Sequence, residues 1–387
     1  MSWNPKRLDE LGSVSRGRSK HRPRNDQSLF GGNYPFIQTA DVKNANFYIT
    51  EYTQTYNEKG LAQSKLWDKG TLCITIAANI ADTAILGIDA CFPDSIMGFK
   101  PYEGISDVRY VKYLFDILQK ECQQISQGAT QDNLSWEKLS TIKFSAPPFE
   151  IQKRIADILS TYDNLIENNQ KQIKLLEEMA QRLYKEWFVD LHFPGYESAT
   201  ITDGVPEGWS LEYLTDIADV QYGYAFDGSL FNDKGNGKPI IRIRNIPEGN
   251  TKDYTTEEAN EQYIVKNGDI VVGMDGEFHI NSWSGDDAYL VQRTCRIKPQ
   301  KENMNGYLLY AIYEPIKFFE KTVVGATVAH LGKKHIDTIK VLTAPEKLYE
   351  PFQMYFNKRQ LLLNQNRILS EARDRLMPKL MNGEIEV

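Results

Sequence analysis

Five cations fall within ten residues near the start of the chain: Arg16, Arg18, Lys20, Arg22 and Arg24 in SRGRSKHRPR, from Ser15. Guanidinium groups bond phosphate oxygens or the guanine edge in pairs, so the run suits phosphate or base contacts on nucleic acid. An ordinary solvated loop is the competing reading. Half a chain later, Tyr222, Tyr224, Arg242 and Arg244 combine aromatic and cationic groups on strand-like segments near glycine turns. They suit the same task, although core packing competes for the two tyrosines. Gln38 carries the donor and acceptor that match adenine, with a plain surface glutamine as the alternative. Lys333 and Lys334 follow VGATVAHLG in an expected loop, where they either hold phosphates or are ordinary surface charges.

Catalytic motifs fare worse. Ala146-Pro147-Pro148-Phe149 resembles the methyltransferase pattern in which Asp, Asn or Ser precedes Pro-Pro-aromatic and accepts a hydrogen bond from the target amine. Alanine cannot accept one, the second copy reads Thr343-Ala344-Pro345-Glu346, and no glycine-rich strand-turn-helix for a methyl donor lies upstream. Proline suits a helix start at both places. Pro93-Asp94 reads as a turn, because no acidic residue stands two positions before a lysine in the next thirty residues. There is no GxxxxGK[ST] for a nucleotide and no GxSxG elbow. His330 and His335 lack the HExxH pattern, and His21, His192 and His279 are isolated, so no metal site is expected. No catalytic residue and no cofactor is assigned to this chain.

These groups must be positioned by a chain of 387 residues, long enough for two domains with separate apolar cores. Hydrophobic residues at 41% and charged residues at 25% are globular proportions, which excludes a disordered or fibrous class. The net charge of -7 argues against a simple solo DNA-binding protein, yet the first 24 residues are basic while Asp253 to Glu261 is acidic, so a local basic surface is compatible with it. Four widely spaced cysteines without a CxxC pair suit reduced, buried thiols. The polar opening and the lack of an 18-residue apolar run lead us to expect a cytoplasmic protein with no membrane partner.

The chain repeats itself at an offset of about half its length. Trp3 and Leu8 answer to Trp209 and Leu214, YPFIQTADV at Tyr34 to KPIIRIRNI at Lys238, QGAT at Gln127 to VGAT at Val324, and TIKFSAPP at Thr141 to TIKVLTAP at Thr338. Within each half, β-branched runs (Leu72 to Ile76, Ile240 to Ile243, Asp269 to Val272) predict strands, and Val108 to Gln124 and Tyr307 to Lys321 each predict a helix. The expected class is α+β, two similar domains in tandem, each followed by a long helix. Ile155, Leu159, Tyr162, Ile166, Asn169, Ile173, Leu176, Ala180, Leu183 and Trp187 alternate spacings of four and three, a coiled-coil seam with one polar position. The roughly 35 to 40 residues involved would span about 50 to 60 Å. Tyr355, Leu362, Leu369 and Leu376 recur at sevens in the second helix, and the repeat sets Asn366 opposite Asn169 as a polar pair that fixes helix register. The two helices are expected to pair antiparallel, with pseudo-two-fold symmetry. The expected boundaries are a first domain at 1–146, a central helix at 147–193, a linker at 194–208, a second domain at 209–345 and a C-terminal helix at 346–387.

GGNYPFIQTADV, the GYAF run at Gly223, QGAT and VGAT, PFEIQKRIADILSTYDNLIE and ARDRLMPKLMNGEI, in this order, resemble the specificity subunit of type I restriction–modification enzymes over essentially the whole chain. The resemblance implies a non-catalytic subunit with two target-recognition domains, each reading half of an asymmetric, split site in double-stranded DNA. It also implies two modification subunits held by the helices and a restriction subunit that cleaves, with S-adenosylmethionine bound by the modification subunits. Exposed helix positions, including Arg182, Trp187 and Phe188, would meet those partners, although Trp187 also fits the seam. Two other readings compete: a protein-assembly scaffold with two binding domains, and a stand-alone methyltransferase or nuclease.

Overall fold

Fully buried strands show how one short apolar run serves two cores. In Leu72–Thr75, Leu72 and Ile74 face a core shared with Tyr110, Phe115, Ile155 and Leu159, whereas Cys73 between them packs with Trp67, Leu86 and Phe92. Side chains alternate across a strand, so consecutive apolar residues are needed when both faces are covered. The second half uses the same device. Ile270 and Val272 join Tyr307, Leu308 and Phe352, while Val271 packs with Ile241, Trp283 and Leu290.

The computed structural model describes residues 3–77, 80–126, 139–322 and 329–387. It divides into two units, Met1–Glu167 with Ile368–Val387, and Asn168–Arg367. The QGAT and VGAT pieces of the repeat lie outside the described residues.

In the first unit, one sheet orders Gly12–Arg16, Ile96–Pro101, Leu72–Thr75, Thr83–Leu86 and Tyr48–Ile49; a second orders Gln54–Tyr56, Phe30–Phe36, Ala90–Cys91 and Leu66–Trp67. In the second unit, Ala218–Tyr222, Thr294–Pro299, Ile270–Gly273 and Ile280–Ser282 repeat the first four strands of the larger sheet. Tyr254–Thr255, Lys238–Ile241, Ala288–Leu290 and Ile264–Val265 repeat the second sheet, with Phe231–Asn232 added at the edge. Even the internal parallel pair recurs, Phe36 beside Cys91 and Ile240 beside Tyr289. Each domain also closes on a short antiparallel pair: Pro5–Lys6 with Phe144–Ser145, and Ser210–Tyr213 with Lys340–Thr343. The fold is α+β and duplicated.

The first long helix runs Phe149–Tyr184 and the second Glu350–Met381, 36 and 32 residues, or about 54 and 48 Å. All ten seam residues, nine in the first helix and Trp187 in the turn that follows it, are buried or half-buried. In the second unit, Asn169 Nδ2 donates to Asn366 Oδ1 at 2.9 Å, and Arg359 Nε lies 2.5 Å from Glu177 Oε1. Rising numbers on one helix meet falling numbers on the other, so the helices are antiparallel. Asn169 and Asn366 do face each other as a polar pair. In the first unit Arg373 bonds Asp163, and Leu380 and Met381 join the core containing Ile155 and Leu159.

Three local expectations change. Tyr307 to Lys321 is two helices, Asn305–Ala311 and Tyr313–Thr322. Pro315 has no N–H for the Ala311 carbonyl, and its ring crowds that oxygen. Phe188 is buried against Tyr307, Trp209 and Tyr184 instead of exposed. The wide turn Lys185–Val189, closed by Asp190 N–H to Lys185 O at 2.8 Å, carries it inward. Finally, the segment expected to be a plain linker contains a hairpin, Ile201–Thr202 with Val205–Pro206. Asp203 and Gly204 both adopt left-handed backbone (φ 51° and 79°), the turn that Asp-Gly favours.

Candidate nucleic-acid interface

The basic run begins where a strand leaves one sheet for the other. After Arg16, the Gly17 N–H bonds Ile96 O at 2.9 Å and the Arg18 N–H bonds Phe92 O at 3.0 Å. A Cβ on Gly17 would stand 2.2 Å from Pro93 O, so only glycine permits the crossing. On either side of it, Arg16, Arg18 and Lys20 are exposed and form no ion pair with any described residue. Arg22 is tied down, donating to the carbonyls of Ser19 and His21 at 2.7 and 2.8 Å. Arg24 reaches both oxygens of Asp94, at 2.6 and 2.8 Å, so the Pro93-Asp94 turn holds an arginine. The run borders a recess of about 320 Å³ lined by Ser19, Arg24, Phe36, Gln38, Gln54 and Ser95.

The second domain repeats this crossing with other side chains. Gly223 N–H bonds Thr294 O at 3.0 Å, Tyr224 N–H bonds Leu290 O at 2.9 Å, and a Cβ on Gly223 would meet Val291 O at 2.0 Å. Arg16 and Arg18 are therefore structurally equivalent to Tyr222 and Tyr224. Tyr222 packs against the domain core with its hydroxyl buried and unpartnered, and burial pushes its phenol pKa up. Tyr224 is exposed at its edge and touches the rings of Phe226 and Tyr263.

Gln38 and Arg242 also coincide. Gln38 (φ −105°, ψ 170°) and Arg242 (φ −104°, ψ 162°) each cap a short helical turn after an inner strand of the second sheet of their unit. Their N–H groups donate to the side chain three residues on, Asp41 Oδ2 at 2.7 Å and Asn245 Oδ1 at 2.8 Å. Gln38 Nε2 donates to Gln54 Oε1 at 2.7 Å. The Arg242 guanidinium lies 5.6 Å from the Phe231 ring centre and has no ion pair among the described residues. Its neighbour Arg244 grips Asp253 with Nε and Nη2 at 3.1 and 2.5 Å. Burial opposes ionisation of Asp253, but the bonds from Arg244 and Asn245 override it and hold the carboxyl below its ordinary range.

A further repeat escaped sequence inspection: DQSLF at Asp26 and DGSLF at Asp227. Each aspartate accepts from the N–H two residues on, at 2.9 Å, and each carboxyl is lowered chiefly by that bond, Asp26 to about 2. The signal was available at an offset of 201. Lys333 and Lys334 are exposed, but they open a short helix, Lys333–Ile336, instead of lying in a loop. Ile336, fully buried, anchors that turn. Among the described residues no cluster of three or more His, Cys, Asp or Glu side chains can hold a metal, and no helix is long and apolar enough to cross a membrane.

Residues 1–178 and 206–347 match the family described as the type I restriction modification DNA specificity domain. The chain belongs to this family. It is a type I specificity subunit. Among similar proteins, the type I restriction enzyme MjaIX specificity subunit of Methanocaldococcus jannaschii is 26% identical over 410 aligned residues, covering 100% of this chain and 94% of the relative. The EcoBI specificity subunit of Escherichia coli is 33% identical over 137 residues, 35% of this chain and 29% of its own. In fold, the specificity subunit resembles the crystal structure of the type I system S subunit from M. genitalium, with a TM-score of 0.58 and 16% identity over 98% of this chain and 96% of that one.

Proposed function

We propose that this specificity subunit reads an asymmetric, bipartite site in double-stranded DNA, one half with each globular domain, and performs no chemistry itself. The observation that carries the reading is the pairing of Arg16, Arg18 and Gln38 with Tyr222, Tyr224 and Arg242: matching backbone, different side chains. Two domains built this way read different base pairs, so the target is split and non-palindromic. Arg16, Arg18, Lys20 and Arg22 supply phosphate and base donors in the first domain, beside Arg24 and Gln38. In the second, Tyr224, Arg242, Arg244, Lys333 and Lys334 form the contact surface, with Tyr222 supporting it. The proposed boundaries are recognition domains at 1–146 and 209–345, separated by the helices, whose length sets the unread gap.

Methylation and cleavage belong to modification and restriction subunits, two modification subunits docking on the helices. Support for docking comes from apolar side chains left in solvent on the helix exteriors: Ile158, Leu165 and Ile368 in the first unit, and Leu175, Met179 and Leu361 in the second. Rows of this kind on otherwise polar helices mark protein contacts. The test is to express the chain with its cognate modification subunit in a host lacking adenine methylation and to map methyladenine across the genome. A split, asymmetric motif that depends on this chain is expected. A continuous short motif contradicts the two-domain reading, and no motif with a competent modification subunit contradicts DNA reading altogether.

A further inference from the structure

We propose that Gln38 and Arg242 each select one base pair, Gln38 an adenine in the half-site read by the first domain and Arg242 a guanine in the other. This rests on the DNA-reading function above and goes beyond it by naming the base that each domain demands at one position.

The mount is built to hold a side chain still. Ile37 and Ile241, just before the two residues, are fully buried, as are Val42 within the first turn and Ile246 just after the second. The backbone N–H of each is clamped by Asp41 or Asn245. With the backbone held on both sides, each position presents its side chain from a fixed start of a helical turn, and a fixed mount loses little entropy on binding.

The heads then decide the chemistry. Gln38 gives one Nε2 hydrogen to Gln54, so its amide still offers a second hydrogen and the carbonyl oxygen. A donor next to an acceptor matches N7 and N6 of adenine in the major groove. Arg242 presents two parallel donors, which match N7 and O6 of guanine. The guanidinium sits over the Phe231 ring, 5.6 Å from its centre, which favours the cation there. Asp253 is hydrogen-bonded by Arg244 and Asn245 and acts on Arg242 as a nearby negative charge, with no hydrogen bond between the two among the described residues. A phosphate contact would demand no such change. Phosphates are the same at every base pair, so a position serving them has no reason to exchange a cation for a neutral amide on the same mount.

The experiment uses the full chain with its modification subunit and reads the methylated motif of four variants: Gln38→Arg, Arg242→Gln, Gln38→Ala and Arg242→Ala. For Gln38→Arg, one position of one half-site is expected to change from adenine to guanine while the other half-site stays as it was. Arg242→Gln is expected to produce the opposite change in the other half-site. The alanine variants keep the clamped backbone N–H, so they should fold and lose about 5- to 150-fold discrimination at the same single position. Duplexes carrying each base there, titrated against the purified complex, give the same number without relying on methylation. If the unaltered chain specifies a split motif and the alanine variants retain every base preference, the assignment of Gln38 and Arg242 is overturned while the DNA-reading function stands. If the unaltered chain specifies no motif, the function itself has failed.

Discussion

The two globular domains share a backbone frame and its core and differ in the side chains mounted on that frame. Gly17 and Gly223, Asp26 and Asp227, and Leu72-Cys73-Ile74 and Ile270-Val271-Val272 do the same work in both. At the crossing beyond the glycines, the first domain places Arg18 and the second Tyr224; at the strand-end turn, the first places Gln38 and the second Arg242. Packing tolerates little change in volume, whereas a solvent-facing side chain on a fixed turn changes freely. Duplication therefore supplies two copies of one frame, and divergence at a few mounted positions supplies two reading surfaces.

Spacing is the property that neither domain holds alone, so the largest effect should come from the helix. Removing one heptad from the first long helix shortens it by about 10 Å. Methylation at the original spacing should be lost, while short duplexes carrying either half-sequence still bind. Full activity at an unchanged gap would remove the spacer from the mechanism.

Next in size is the difference between the clasps that join each domain to its helices. Buried Asp163 accepts from Tyr113 and Arg373, whereas Arg359 reaches Glu177, Ser282 and Asn281, and the Glu177 carboxylate is 43% exposed. Asp163→Ala strands the buried Tyr113 hydroxyl and takes one of two carboxylates from the partly buried Arg373, which keeps Asp374, and should cost about 3 kcal/mol. Arg359→Ala leaves a carboxylate that water can reach and should cost about 1–3 kcal/mol. Urea unfolding of the two variants decides; equal losses would mean that the clasps are energetically alike.

Much of this comparison was legible in the sequence because it rests on patterns that repeat. The half-chain offset, the β-branched strand runs and the alternating fours and threes each follow from burial, and burial writes apolar residues at fixed spacing. Pro315 was also visible, and its break in the Tyr307 to Lys321 helix was missed because the apolar period continues across it. Phe188 required knowing that the helix widens at Lys185–Val189, which no local composition announces. For the candidate interface, chemistry selected Arg18, Tyr224, Gln38 and Arg242 separately. Their equivalence emerged only from backbone bonds. Which arginines are already occupied, Arg24 by Asp94 and Arg244 by Asp253, depends on residues 70 and 9 positions away.

The exposed cations offer a smaller effect that separates the domains by salt. Replacing Arg16, Arg18 and Lys20 with alanine should weaken DNA binding by the complex and flatten the plot of log affinity against log salt by about 3 units of slope. Tyr224→Ala, at the position equivalent to Arg18, should leave that slope unchanged. An unaltered slope in the triple variant would mean that these cations face solvent alone.

The smallest effect tests the one polar step in the seam. Asn169 is buried and bonds Asn366, so Asn169→Leu leaves an amide facing an apolar side chain and should cost about 1–3 kcal/mol. Replacing both asparagines with leucine removes the unpaired group and adds apolar contact, so stability should return to or exceed that of the parent. Register should suffer instead, because a polar pair at one seam position excludes shifted pairings at a cost in stability. Urea midpoints and the methylated gap together separate the two contributions. A double variant as unstable as the single, with one sharp gap retained, would make the asparagine pair a stabilising contact and not a register device.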